Sequence, residues 1–165
     1  MTITAMDFED VIRKRKMVRK FKRNRPISDR MIVKLIRNAH RAPSAGHTQV
    51  QEFIIVKDPL ISSCRPRICR GDRYGIRGRD FYSIIDGAFA SMLILLTTVN
   101  EGIGACFVGA FEDDKVSKIL EIPEQVRPIG IICVGYSDEE PERIERIPLS
   151  ELVYYNKYGD TSDKM

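Results

Sequence analysis

The sequence predicts a single domain that mixes helices and strands. Two observations predict it. Apolar residues recur at helical spacing before residue 40 and again beyond residue 80, while short β-branched runs stand between and after them. No internal repeat, low-complexity segment or composition shift marks a second domain, and 165 residues suit one ordinary core. The whole chain, 1–165, is therefore read as one domain, with 148–165 as a C-terminal arm.

Asp7 to Lys14 reads as a first helix, with Phe8, Val11 and Ile12 on one face. Pro26-Ile27-Ser28-Asp29 opens a second. Ser28 is placed to cap it, and Ile32, Leu35, Ile36 and Ala39 form its apolar stripe. Pro43 stops that helix and biases Ala42 to an extended conformation. Glu52 to Lys57 reads as a short buried strand ended by Asp58-Pro59. An Arg/Gly-rich stretch, Arg65 to Arg79, then reads as a polar loop. From Phe81 to Val99 the pattern is helical and apolar almost all round, which predicts burial on every side. In so short a chain, a second subunit is the expected cover. Gly102-Ile103-Gly104 ends that helix, Ala105 to Val108 is strand-like, and Asp113-Asp114 opens a short helix to Leu120. Ile129 to Tyr136 reads as a central strand. The tail, Pro148 to Tyr158, carries Leu149, Leu152, Val153, Tyr154, Tyr155 and Tyr158, and is expected to pack on a neighbouring copy.

Charge is distributed unevenly. Nine of the thirteen residues from Arg13 to Arg25 are Lys or Arg, and six more arginines fall between Arg65 and Arg79, while the rest of the chain is net acidic. Local positive charge requires a local anion: a ligand, a partner or nucleic acid. Little aromatic interleaving accompanies the two stretches and no nucleic-acid motif appears, so nucleic acid is the weaker expectation. The four cysteines lack a paired CxxC spacing and only His40 and His47 accompany them, so no metal site is expected. Cys106 and Cys133 read as reduced core thiols; Cys64 and Cys69 fall in the polar loop. The N-terminus has no basic-then-apolar signal pattern, and the apolar stretch Gly87 to Val99 falls short of the ~20 residues that span a bilayer. A cytoplasmic protein without membrane contact is expected.

Four segments carry candidate chemistry. Arg15, Lys16 and Arg19 straddle a helix end, where two or three cations can converge on one phosphate; a solvated basic face is the alternative. Ala42-Pro43-Ser44-Ala45-Gly46-His47-Thr48-Gln49 is a proline-broken turn bearing donors, or simply a polar helix stop. Gly102 to Phe111 offers small residues that permit close backbone approach, or a helix C-cap followed by a strand bulge. Its glycines leave a helix and enter a strand, the reverse of a dinucleotide fingerprint. Arg146-Ile147-Pro148 holds a lone arginine, with Arg143 nearby.

In this order the segments resemble the FMN-dependent nitroreductase family, over roughly Asp7 to Val153. Arg15-Lys16-Met17-Val18-Arg19 resembles the family's Arg-x-Ser-x-Arg phosphate segment, with Met17 where serine is usual; a thioether donates no hydrogen bond. Pro43-Ser44 to Gln49 resembles its Pro-Ser-x-x-Asn-x-Gln turn beside the flavin, with His47 in the asparagine position and Val50-Gln51 replacing Pro-Trp. Val108, Gly109 and Ala110 resemble its glycine-rich strand near the flavin N5, and Arg146 its returning C-terminal arginine. The resemblance implies the α+β class, with a central, mostly antiparallel sheet flanked by helices, in an intertwined homodimer with FMN at the interface. It implies NADH or NADPH as electron donor and a nitroaromatic, quinone or related small molecule as acceptor. It assigns no catalytic side chain, because the cofactor carries the redox chemistry. A flavin carrier with little turnover and a polyanion binder are the alternative functions.

Overall fold

The computed structural model describes residues 6–57, 66–69 and 77–161, with backbone alone for 66–69 and Arg79. Four α-helices and four strands frame the described residues: α1 Phe8–Lys14, α2 Asp29–Ala39, β1 Gln51–Phe53, β2 Pro66–Cys69, α3 Ser83–Asn100, β3 Gly104–Val108, α4 Asp113–Ile119 and β4 Arg127–Gly135, with short helical turns at Ala45–His47, Gly78–Tyr82 and Leu149–Glu151. The strands form one antiparallel sheet in the order β1-β2-β4-β3.

Helices α2 and α3 pack together over one face of the sheet. Ala39, Ala42, Ala90, Ile94, Leu95, Ala105 and Ile132 form the core there. Helix α4 and the connection after it cover the other face, Val116, Ile122 and Val126 packing with Ile131 of β4. Strand alternation produces the division: Ala105 and Ile132 point to α3, Ile131 and Val108 to α4. The α2–α3 contact carries polar ties as well, Asn38 Nδ2 donating to Thr97 Oγ1 (3.1 Å) and Lys34 pairing with Glu101 (2.6 Å). The Lys34 ammonium holds the Glu101 carboxyl below its ordinary range.

Local signals explain the helix ends. Ser28 Oγ accepts from the Met31 amide at the start of α2. Helix α3 closes in a Schellman motif: Ile103 N donates to Thr98 O (2.9 Å) and Gly102 N to Val99 O (3.0 Å), with Gly102 at φ +66°.

Three expectations need correction. Pro66–Cys69, inside the stretch read as a polar loop, is a strand lying between β1 and β4. A bulge at Arg67/Ile68 breaks its register. The β1 strand stops at Phe53 rather than Lys57. The all-round burial expected for the long helix holds on one side only within this chain. Phe81, Ile84, Phe89 and Met92 stay exposed (41–48%), within roughly 140° of one another at 100° per residue. Together with the preceding turn this helix, Asp80–Asn100, is long and apolar enough by composition to cross a membrane, against the shorter Gly87 to Val99 reading. Half of it is buried in the fold, and Asp86, Ser91, Thr97 and Thr98 lie on the buried side. That is the burial of a core helix.

Besides Val33, Ile55 and Ile119, the other exposed large apolar residues lie towards the ends of the chain. Phe8 and Ile12 of α1 leave only Val11 buried, and Leu149, Leu152 and Tyr158 of the tail are open. The free thiols Cys106 (buried) and Cys133 (half-buried) agree with the sequence reading. Cys64 lies outside the described residues, as does most of Arg65 to Arg79.

Candidate functional site

Basic segment 15–22 is laid against the sheet rather than projected from it. Val18 N donates to Ala105 O (3.0 Å), Met17 bridges Ala105 in parallel, and Phe21 bridges Ser137. Two glycines make this possible. Gly104 and Gly135 are register partners at the end of the β3–β4 ladder. A Cβ on the first would lie 2.8 Å from Val18 atoms, and on the second 2.7 Å from the Phe21 ring. The segment occupies the space that their missing side chains leave.

That arrangement creates a cleft of about 1200 Å³ between α1, the basic segment and residues 139–146. Arg15, Lys16, Met17, Arg19 and Arg146 line it, with Arg143, the alternative occupant, and Met92 of α3. Four of these come from the N-terminal segment and two, Arg143 and Arg146, from more than a hundred residues later. The Nη1 atom of Arg15 is buried and, among the described residues, has no hydrogen-bond partner, which leaves a guanidinium donor open. Met17 contributes no side-chain donor, and its amide donates to no described residue. Lys16 Nζ donates to Pro141 O (2.7 Å), so it ties the two walls together.

The cleft also contains acids that the sequence reading did not single out: Glu9, Asp10, Glu139, Glu140 and Glu142. Asp10 pairs with Arg13 on α1. Glu139 Oε1 accepts from the amides of Arg19 (2.5 Å) and Lys20 (3.0 Å). The Arg19 amide first, then that of Lys20, holds the Glu139 carboxyl below its ordinary range.

Pro43, Ser44, His47 and Gln49 do not line this cleft, and neither do Val108, Gly109 and Ala110. They form a second region. Gly46, His47 and Gln49 have φ of 55°, 56° and 50°, a left-handed conformation costly for residues with side chains. The turn is held in that state from several directions. Ser44 Oγ accepts from Gln49 N (3.0 Å), Gln49 Nε2 donates to His47 Nε2 (2.9 Å), and Thr48 Oγ1 donates to Ala45 O (2.8 Å). Both carboxylate oxygens of Asp86 accept from Ala45 N (3.1 and 3.2 Å). Asp86 is 2% exposed; burial raises its pKa, and the Ala45 amide offsets part of that rise. Its only sequence signal was a charge inside an otherwise apolar helix.

Strand β3 joins the two regions. Met17 is fixed opposite Ala105, and Val108 stands three residues, about 10 Å, further along the strand. Gly109 and Ala110 then emerge exposed, and their amides donate to no described residue. Directly after the turn, Gln51 is 7% exposed, and neither its Nε2 nor its Oε1 has a partner among the described residues. Among the described residues no cluster of ligating side chains suits a metal ion.

A small antiparallel sheet between helices, a cation-lined cleft beside its last strand and a strained donor turn define a class of fold met before. The family model of the Nitroreductase family matches residues 12–68 and 60–136, and the chain belongs to that family. It is 25% identical over 90% of its length to an NADPH-dependent oxidoreductase of Staphylococcus aureus (strain bovine RF122 / ET3-1), spanning 73% of that protein. A putative NADH dehydrogenase/NAD(P)H nitroreductase from Parabacteroides distasonis superposes at TM-score 0.80 with 24% identity, over 91% of this chain and 98% of that one. A nitroreductase family protein from Clostridium difficile superposes at 0.82 with 23% identity, over 92% and 99%. These likenesses show a nitroreductase-like fold.

Proposed function

We propose that the protein is an FMN-dependent NAD(P)H oxidoreductase, acting as a homodimer on nitroaromatic, quinone or related small acceptors. The observation that carries this reading is the buried, unpartnered Arg15 Nη1 in a cleft that also gathers Lys16, Met17, Arg19 and Arg146. A phosphate oxygen would satisfy that donor, and arginine's planar fork suits it. When bound, FMN supplies the two-electron chemistry between a nicotinamide and the acceptor.

The chain's own residues bind and orient. Arg15, Arg19 and Arg146 would hold the phosphate, with the free Met17 amide in place of the serine hydroxyl. Ser44, His47 and Gln49 would present donors to the ring from a turn already locked in shape. The unengaged amides of Gly109 and Ala110, continuous with Val108, would face the reactive edge of the ring. Preformed donors of this kind favour a reduced, negatively charged ligand. The exposed faces of α1 and α3 and the apolar tail support a second copy as cover. The S. aureus relative's description favours NADPH as donor.

Mixed charge in the cleft tells against polyanion binding, since five acids stand among its six cations. The test is the visible spectrum of the purified protein after FMN addition and desalting, followed by NADPH and NADH. Retained yellow colour that bleaches with one nicotinamide supports the reading and names the donor. Colour that never bleaches favours a flavin carrier or a different reductant, and no retained flavin refutes the assignment. Arg15→Ala should weaken FMN and leave riboflavin, which lacks the phosphate, unchanged.

A further inference from the structure

Segment 15–22 has no continuous secondary structure of its own, yet its cations must keep fixed positions if they are to share one anion. Its first half is fastened to β3 through Val18 N and Ala105 O. Its second half is fastened to the chain after β4. Lys22 N donates to Tyr136 O (2.9 Å), Asp138 N donates to Lys20 O (3.0 Å), and Lys16 Nζ reaches Pro141 O. At the centre of that seam, one carboxylate oxygen of Glu139 takes two successive amides, those of Arg19 and Lys20. Bonds from amides to an ionised acceptor are the stronger kind. Ser137 Oγ, which donates to Glu139 O (2.5 Å), braces the backbone behind the carboxylate. The same run of chain then continues to Arg143 and Arg146 on the opposite wall of the cleft. Glu139 thus sits at the joint between the two groups of arginines.

We propose that Glu139 is a positioning residue: its carboxylate fixes Arg19 on one wall and the approach of Arg143 and Arg146 on the other, and so sets the protein's preference for a phosphorylated flavin. The inference rests on the flavin reading above and adds a selectivity determinant to it. Glu139 does not touch the phosphate. It takes two amides that would otherwise be free to turn the segment, and its negative charge is engaged by those amides. The consequence is specific to the phosphate end of the ligand, because the Ser44–Gln49 turn is anchored separately, by Asp86.

Titrations of FMN and of riboflavin, followed by quenching of flavin fluorescence, test this on the wild-type protein and on Glu139→Ala, Glu139→Gln and Glu139→Asp. Glu139→Ala should weaken FMN about tenfold or more while riboflavin changes less than about twofold. Glu139→Gln, whose Oε1 can accept the same two bonds, should recover most of the loss. If Glu139→Ala does not fold, Glu139→Asp, which withdraws the carboxylate by one methylene, should show a smaller loss confined to FMN. Equal weakening of both flavins would reduce Glu139 to a general stabiliser and overturn the proposal. So would unchanged FMN affinity. Tighter FMN binding in the Ala and Gln variants would also overturn it, by showing that the carboxylate competes with the ligand. A wild-type protein that binds neither flavin would instead refute the flavin reading, and this inference with it.

Discussion

Gly104 is where packing and the proposed site depend on the same atom, or rather on its absence. A methyl group there would stand 2.8 Å from Cβ, Cγ1 and Cγ2 of Val18. Carbon atoms in contact prefer about 3.5–4.0 Å, so Gly104→Ala introduces an overlap of about 1 Å against three atoms at once. Neither side yields readily. Val18 is buried and β-branched, with a stiff χ1, and the Gly104 backbone is bound in the β3–β4 ladder. Overpacking of this degree costs about 1–3 kcal/mol, and in a protein of this length the loss lowers Tm by about 3–10 °C. The strain relaxes most easily by lifting Met17 and Val18 off Ala105, which displaces Arg15 and Arg19. FMN affinity should therefore fall together with stability. Thermal and urea unfolding of Gly104→Ala, Val18→Ala and the double variant would measure this. Val18→Ala alone should destabilise through lost burial, yet in the Gly104→Ala background it should recover part of the loss, because two of the three overlapping atoms go while Cβ stays, with a coupling of at least about 1 kcal/mol. Additive effects of the two substitutions, or a neutral Gly104→Ala, would refute the close approach of the basic segment to β3.

Three further outcomes follow from buried or strained groups. Gln51→Leu removes two unpartnered buried atoms and keeps most of the volume, so it should raise stability by about 1 kcal/mol or more; a lower Tm would mean that the carboxamide is satisfied. Asp86 has a raised pKa in the fold, so its contribution is full below its unfolded value and is lost as pH rises through the folded value. Urea midpoints of wild type and Asp86→Asn, compared between about pH 4 and 7, should shift in favour of the Asn variant as pH rises, and the opposite slope would refute the burial argument. His47 Nε2 accepts a hydrogen bond from Gln49 Nε2. His47→Phe, which can accept no such bond, should loosen the turn and weaken flavin binding; an unchanged affinity would remove His47 from that role.

The local structure was legible where one residue type has one use. Ser28 before an apolar stripe became an N-cap, and Gly102 after one became a left-handed helix end. Pro66–Cys69 was not legible, because arginines around an isoleucine carry little strand signal and its partners lie on β1 and β4. Length decided the end of β1: Ile54, Ile55 and Val56 look like strand, but the sheet continues only to Phe53. The long helix showed its apolar content and hid its sidedness. An unbroken hydrophobic pattern has no weak face, and which face meets α2 was fixed by Thr97 and its bond to Asn38.

At the site, the sequence supplied the cations and concealed what holds them. Arg15 to Arg19 announce themselves by density alone. Glu139 is one acid among several near the end of β4, and nothing in its spacing shows that it meets the amides of Arg19 and Lys20 from 120 and 119 residues away. Asp86 is similarly silent, and so is the Gly104–Gly135 pair, whose function is to be absent where Val18 and Phe21 lie. This asymmetry follows from physics. A ligand-binding cation must keep a free donor, so its type persists in the sequence as an excess of charge. A positioning group has its capacity consumed by backbone amides, and leaves no excess to detect. The basic run that suggests a polyanion binder in one dimension thus becomes, in three, a cleft in which acids from the distant wall offset much of its charge. What survives that cancellation in the cleft is a buried donor of Arg15, and a small anion held at one point is the ligand it fits.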